Sequence, residues 1–164
     1  MATQLKNLSD FSNTTIPSAA PYRFGIVVAE WNAKITGALY GGAYQSLIDN
    51  GALIDNIFTY SVPGSFELTA GADILLNNKH LDAVICLGCV IQGETRHFDF
   101  ICNAVANGVS NVALKYAKPV IFGVLTTDNE QQALDRAGGK HGNKGVEAAV
   151  TAIKMADFAK QLID

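Results

Sequence analysis

Apolar residues along this chain come in short continuous runs separated by stretches of helical period. Phe24 to Ala29 is apolar throughout and rich in Ile and Val, which predicts a central parallel strand buried on both faces. Ala38, Leu39, Ala43, Ser46 and Leu47 then recur at helical spacing, and Asn50-Gly51 supplies the stop. Ile54 to Ser61 alternates more and reads as an edge strand. Val62-Pro63-Gly64 turns the chain, and Ser65 is placed to cap a helix running to about Asn77. Ala83 to Leu87 is a third buried strand, and Gly88 to Phe100 forms the turn that leads into a helix from Ile101 to Ala117. Pro119 to Leu125 is a fourth strand. Thr127 or Asp128 can cap a short helix that reaches Arg136, Ala137-Gly138-Gly139 breaks it, and Gly142 to Gly145 opens a last helix to about Leu162. Strand and helix in alternation predict a single α/β domain, a parallel sheet covered on both faces. Residues 1–21, polar and holding two prolines, read as an arm, and 22–164 as the domain.

Composition changes this picture in one respect. Hydrophobic residues make up 49% of the chain and charged residues only 16%, against about 25% charged in an average domain. So little charge cannot cover the surface of a small monomer, so part of the outside is expected to be buried against copies of the same chain. The net charge of −3, with no Lys/Arg run, excludes nucleic acid as a partner. No apolar run reaches the ~18 residues of a membrane span and no signal-peptide h-region is present, so the expectation is a cytoplasmic protein that does not enter a membrane. Three cysteines are an odd number and argue against a disulfide framework. Cys86 and Cys89 look like a redox or metal pair, but an odd spacing on one strand sends them to opposite faces. His80, His97 and His141 lack zinc-ligand spacing, so no metal is expected.

Candidate chemistry gathers at the carboxyl ends of the strands, where open α/β sheets bind ligands. The first strand delivers Trp31 and Asn32, the second Ser65, Phe66 and Glu67, the third Gly93 to His97, and the fourth Phe122, Thr126 and Thr127. Arg136 and Lys144 follow with positive charge. Each has a plain structural alternative. Trp31 either packs or stacks a flat heterocycle, Asn32 is a turn former, and Glu67 suits the dipole of a first helical turn. Thr95 caps a helix or helps its N-terminus hold an anion. His97 is structural or a proton carrier. Arg136 complements the C-terminus of its helix or faces an anion, and Lys144 is a surface charge or a ligand contact. Together at one end of a sheet, these residues suggest a ring site beside a phosphate site.

Over Phe24 to Met155 the chain resembles the lumazine synthase (6,7-dimethyl-8-ribityllumazine synthase) family. The motifs are Val28-Ala29-Glu30-Trp31-Asn32, Val62-Pro63-Gly64-Ser65-Phe66-Glu67-Leu68, Gly88 through Phe98, Pro119 through Thr127, and Arg136 through Gly145. The resemblance implies a flavodoxin-like three-layer sandwich with a four-stranded parallel sheet in the order 2-1-3-4, and an arm that adds to a neighbouring subunit's sheet. It also implies condensation of 5-amino-6-ribitylaminouracil with 3,4-dihydroxy-2-butanone 4-phosphate, a transferase step of riboflavin biosynthesis that uses no metal and no organic cofactor. By motif, Trp31 stacks on the pyrimidine, and Asn32, Ser65, Phe66 and Glu67 line the ring and ribityl site. Cys89, Val90 and Ile91 offer main-chain groups. Glu94, Thr95 and Arg136 bind phosphate, His97 transfers protons, Lys144 lies near the substrates, and Phe122 reaches into a neighbouring subunit's site. Cys89 stands where many members have Thr, and Glu94 puts a carboxylate beside a phosphate site, so its side chain must turn away. His141 receives no role. The uninterrupted Gly139-Lys140-His141-Gly142-Asn143 loop resembles that of members forming an icosahedral 60-mer built from pentamers, with a free pentamer as the second reading and riboflavin synthase as a possible enclosed partner. The related pentameric riboflavin synthase and a non-catalytic lumazine- or flavin-binding protein are the competing readings.

Overall fold

The computed structural model describes residues 7, 9–11 and 14–162. Strand β1 (Phe24–Ala29) lies inside a four-stranded sheet, with β2 (Ile57–Val62) on one side and β3 (Ala83–Ile91) on the other; β4 (Val120–Thr127) closes the far edge. All three pairings are parallel, and the order is β2-β1-β3-β4, as the resemblance implies. Helices α1 (Ala33–Asp49) and α5 (Lys144–Gln161) cover one face of the sheet. There Leu39, Leu47 and Ile153 pack on Phe24, Ile26, Ile85 and Leu87. Helices α2 (Leu68–Asn78) and α3 (His97–Tyr116) cover the other, where Leu68, Ala72, Val105 and Val109 meet Val27, Val84 and Cys86. Each fully buried Leu or Ile contributes about 1.5–3 kcal/mol, so the two layers of aliphatic side chains account for a unique sheet order. No helix among the described residues is long and apolar enough to cross a membrane.

Several boundaries differ from the sequence reading, each for a physical reason. Ile54–Asn56 is a single turn of 3₁₀ helix, and β2 begins only where Ile57 pairs with Phe24. β3 does not stop at Leu87 but runs on to Ile91, because β4 pairs with it as far as Thr127 and the ladder overrides the local turn signal of Gly88. The short helix α4 (Glu130–Leu134) is capped by Asn129, whose side chain accepts from the Gln132 N–H at 2.9 Å; Thr127 and Asp128 lie too early, and Arg136 falls beyond the helix. The glycine-rich stretch after it forms a small antiparallel ribbon, β5 (Ala137–Gly139) with β6 (Gly142–Asn143), where only a break was expected. Ser65 is not a side-chain cap: its carbonyl, not its hydroxyl, accepts from the Leu68 N–H at 3.2 Å.

The arm docks on its own domain at the residues described. The Ala19 N–H donates to the Asn50 carbonyl at 2.8 Å, and just past the arm the Tyr22 hydroxyl donates to Asp157 at 2.8 Å. Residues 1–6, 8, 12 and 13, on which the expected addition to a neighbour's sheet partly falls, lie outside the described residues.

Candidate functional site

The carboxyl ends of β1, β2 and β3 surround a cleft of about 720 Å³. Its shape follows from where the pairing stops. β1 pairs with β3 only as far as Val28 with Leu87, while β4 continues beside β3 to Ile91. Gly88 to Ile91 therefore have a ladder on one side and an open edge on the other. Alternate residues of a parallel strand bond to alternate sides, and the Gln92 N–H turns to the Thr127 carbonyl at 2.8 Å. Cys89 and Ile91 consequently face the open edge with their main-chain groups. Asn32 takes one of them: its Nδ2 donates to the Cys89 carbonyl at 3.0 Å. Asn32 itself has φ +60°, ψ +45°, a left-handed conformation that Asn tolerates better than most side chains. A strained residue at the end of β1 thus ties the two strand ends together across the cleft.

The walls are aromatic. Trp31 is 73% exposed and Phe66 is 55% exposed, so neither ring is a packing residue in the isolated chain. Pro63 and Gly64 continue the wall from β2, with the Glu67 carboxylate beside them. Ser65 is buried, and its hydroxyl has no hydrogen-bond partner among the described residues. An unsatisfied buried hydroxyl costs about 1–3 kcal/mol, which a polar ligand in the cleft would offset. Gly88 makes this placement possible, because a Cβ there would stand 2.6 Å from Ser65 Oγ and 2.9 Å from Leu68 Cδ1. At the far side His97 begins α3, exposed, with Ile101 one turn on. The loop before it is organised by Gln92, whose Nε2 donates to the Gly93 carbonyl at 2.7 Å and the Thr95 carbonyl at 3.4 Å. Thr95 Oγ1 accepts from the His97 N–H at 3.4 Å, so Thr95 does help to cap α3. Glu94 is exposed on this loop.

Of the residues singled out from the sequence, Trp31, Asn32, Ser65, Phe66, Glu67, Cys89, Val90, Ile91 and His97 line the one cleft. Glu94, Thr95, Phe122, Arg136 and Lys144 are not among its lining residues. Phe122 lies on the edge strand β4, 38% exposed. Arg136 donates through Nη1 to the Gln132 carbonyl at 2.8 Å, which satisfies the C-terminus of α4. Lys144 is a partly buried ion-pair member, not a free surface charge, with Nζ 2.6 Å from Glu147 Oε2. Pro63, Gly64 and Ile101 line the cleft although the sequence marked them only as a turn and a helix start.

Cys86 and Cys89 lie in the cores on opposite faces of the sheet, as their odd spacing requires. Burial pushes the Cys86 thiol up to about 12 and that of Cys89 up to about 11. Both stay protonated at neutral pH, so neither thiol is a ready nucleophile; Cys89 meets Asn32 through its carbonyl. Among the described residues no cluster of His, Cys, Asp or Glu is arranged to hold a metal ion. His141 donates its backbone N–H to the Asp135 carbonyl at 2.8 Å. Hydrogen bonds from Gln131 and then Lys140 hold the Asp135 carboxyl below its usual range.

Fold and cleft together define an α/β protein of flavodoxin-like topology with an aromatic-walled cleft at its strand ends. The family model described as 6,7-dimethyl-8-ribityllumazine synthase matches residues 21–160. Relatives described by the same words include a protein of Cytophaga hutchinsonii, 63% identical over 155 residues that cover 94% of this chain and 97% of the relative. Another, from Flavobacterium johnsoniae, is 54% identical over 98% of this chain and 85% of its own length. A third, from Parabacteroides distasonis, is 54% identical over 97% of this chain and 99% of its own. The chain belongs to the 6,7-dimethyl-8-ribityllumazine synthase family.

Proposed function

We propose that the chain condenses 5-amino-6-ribitylaminouracil with 3,4-dihydroxy-2-butanone 4-phosphate to 6,7-dimethyl-8-ribityllumazine, phosphate and water, a reaction whose product is the one in its relatives' name. The observation that carries this reading is the unpartnered, buried Ser65 hydroxyl in a cleft walled by Trp31 and Phe66. A stacking platform with hydrogen-bonding groups at its edge suits a pyrimidine that bears a polyol. Trp31 stacks on the ring, Asn32 and the main chain of Cys89 and Ile91 bond its edge with Val90 lining the cleft between them, and Ser65, Phe66 and Glu67 take the ribityl chain. The α3 N-terminus with Thr95 receives the phosphate, since helix N–H groups favour anions. The exposed Glu94 carboxylate has room to point away from it.

Three of the proposed site residues then need a second copy. Phe122, Arg136 and Lys144 all belong to the part of the chain from β4 onward and do not line the cleft of their own subunit. We infer that they complete the cleft of a neighbour: Phe122 as a lid, Arg136 as the phosphate countercharge, Lys144 beside it. Exposed Phe100 and Leu114, at 70% and 78%, support burial of α3 in such an assembly. The proposed assembly is a homopentamer that goes on to an icosahedral 60-mer, located in the cytoplasm, with riboflavin synthase as the enclosed partner.

The chemistry is positioning and proton traffic. The free amine of the pyrimidine attacks the ketone, and water leaves to give an imine. Loss of a carbon-bound proton expels phosphate, and the resulting enol takes up a proton to become a ketone. The ribityl-bearing nitrogen closes on that carbonyl, and a second water leaves. His97, at the mouth of the cleft, carries these protons. The nucleophile belongs to the substrate, so the Lys144 ammonium, held by Glu147, is not asked to form a Schiff base. The test is to mix purified protein with both substrates and follow lumazine absorbance and free phosphate together. Equal amounts of the two products are expected. Absence of lumazine from a folded assembly, or riboflavin made from lumazine alone, would reject the assignment.

A further inference from the structure

The junction between the ribbon and α5 is held by the arm through one serine. Asn143 turns its backbone N–H and carbonyl away from β5, and Ser9 satisfies both with a single hydroxyl. Ser9 Oγ accepts from the Asn143 N–H at 2.7 Å and donates to the Asn143 carbonyl at 3.0 Å, standing in for a missing strand partner. Asn7 sets this serine in place, its Oδ1 accepting from the Ser9 N–H at 2.9 Å. The Asn143 side chain is equally committed. Its Oδ1 caps α5 by accepting from the Gly145 N–H at 2.8 Å, and its Nδ2 donates to the Ala38 carbonyl on α1 at 2.9 Å. One residue therefore joins the arm, α1, the ribbon and α5.

Both cations assigned to the phosphate-bearing substrate hang on this junction. Lys144 is the next residue, and its N–H donates to the Arg136 carbonyl at 2.8 Å. We propose that Ser9 and Asn143 are positioning residues that hold Arg136 and Lys144 in register for the anionic substrate. The arm is thereby a working part of the site and not only a subunit contact. This rests on the role given above to those two cations.

Steady-state kinetics of Ser9→Ala, with each substrate varied in turn, tests it. The KM for the butanone phosphate is expected to rise about fivefold, the scale of a lost hydrogen-bond pair. The KM for the pyrimidine should stay within about twofold and the melting temperature within a few degrees, since Ser9 lies outside the two cores. Ser9→Thr, which keeps the hydroxyl, should restore the lower KM. Asn143→Asp keeps the cap and loses the donor to Ala38, so it should shift the same constant in the same direction. Arg136→Ala is measured alongside. If it raises the phosphate-substrate KM while Ser9→Ala does not, the inference is wrong and the role of Arg136 stands. If Ser9→Ala raises both KM values together, or lowers the melting temperature well beyond a few degrees, the arm only supports the fold and the inference is equally lost. Should Arg136→Ala change nothing, the role of the cation itself fails and takes the inference with it.

Discussion

Arg136→Ala is expected to raise the KM for the phosphate-bearing substrate well over tenfold while leaving the KM for the pyrimidine nearly unchanged. The guanidinium has five N–H donors, and among the described residues only the one given to the Gln132 carbonyl is committed. Among the described residues it forms no ion pair, unlike Arg96, Lys115, Lys140 and Lys144. An unneutralised, partly buried arginine is a poor surface charge and a good phosphate ligand, because its planar fork matches two oxygens at once. A charge-assisted contact contributes about 1.5–3 kcal/mol, equivalent to roughly 10- to 150-fold in affinity. Arg136→Lys keeps the charge without the fork and should fall between the two. Kinetics with each substrate varied separately decides the point: equal effects on both constants would mean that Arg136 acts on the fold and not on the phosphate.

The second large effect concerns stability. On helix propensity alone, Gly145→Ala should stabilise α5 by about 1 kcal/mol. The packing reverses the sign. A Cβ at Gly145 would collide with the Leu39 carbonyl oxygen and stand 2.7 Å from the Leu39 carbonyl carbon. These are backbone atoms of α1, which no side-chain rotation can move, so the two helices must separate. Overpacking of this kind costs about 3 kcal/mol or more, enough to lower the melting temperature of a chain this size by roughly 10 °C. A thermal melt of the variant assembly checks it, and a midpoint within about 2 °C of the unsubstituted protein would show that α1 and α5 can part cheaply.

Much of the frame was legible because burial writes itself into the sequence. The apolar runs at Phe24, Ala83 and Pro119 located three strands, and the odd spacing of Cys86 and Cys89 placed them on opposite faces, where they are. What escaped depends on partners far along the chain. Gly88 reads locally as a turn, yet β4 holds it and the next residues in the ladder as far as Ile91. The ribbon after α4 looked like a glycine break, since its outer edge is satisfied by Ser9, more than a hundred residues away. The site shows the same division. Its aromatic and polar residues could be named by their position just past strands, whereas the link from Asn32 to the Cys89 carbonyl and the unpartnered Ser65 hydroxyl exist only once the strand ends have been brought together.

In the proposed assembly each cleft is half a site and is completed by a neighbouring copy. Two variants test it directly, assayed at a butanone phosphate concentration far below the raised KM of Arg136→Ala, where each variant alone turns over little. One is the cleft variant Trp31→Ala/His97→Ala, whose changed side chains are exposed. The other is Arg136→Ala, at the opposite border of the proposed interface. Unfolded together and reassembled in equal amounts, they should recover about a quarter of the activity of the unsubstituted assembly. Random mixing places an intact cleft beside an intact Arg136 at that frequency. Activity no higher than the mean of the two separate variants, from mixed oligomers of normal size, would contradict a shared site.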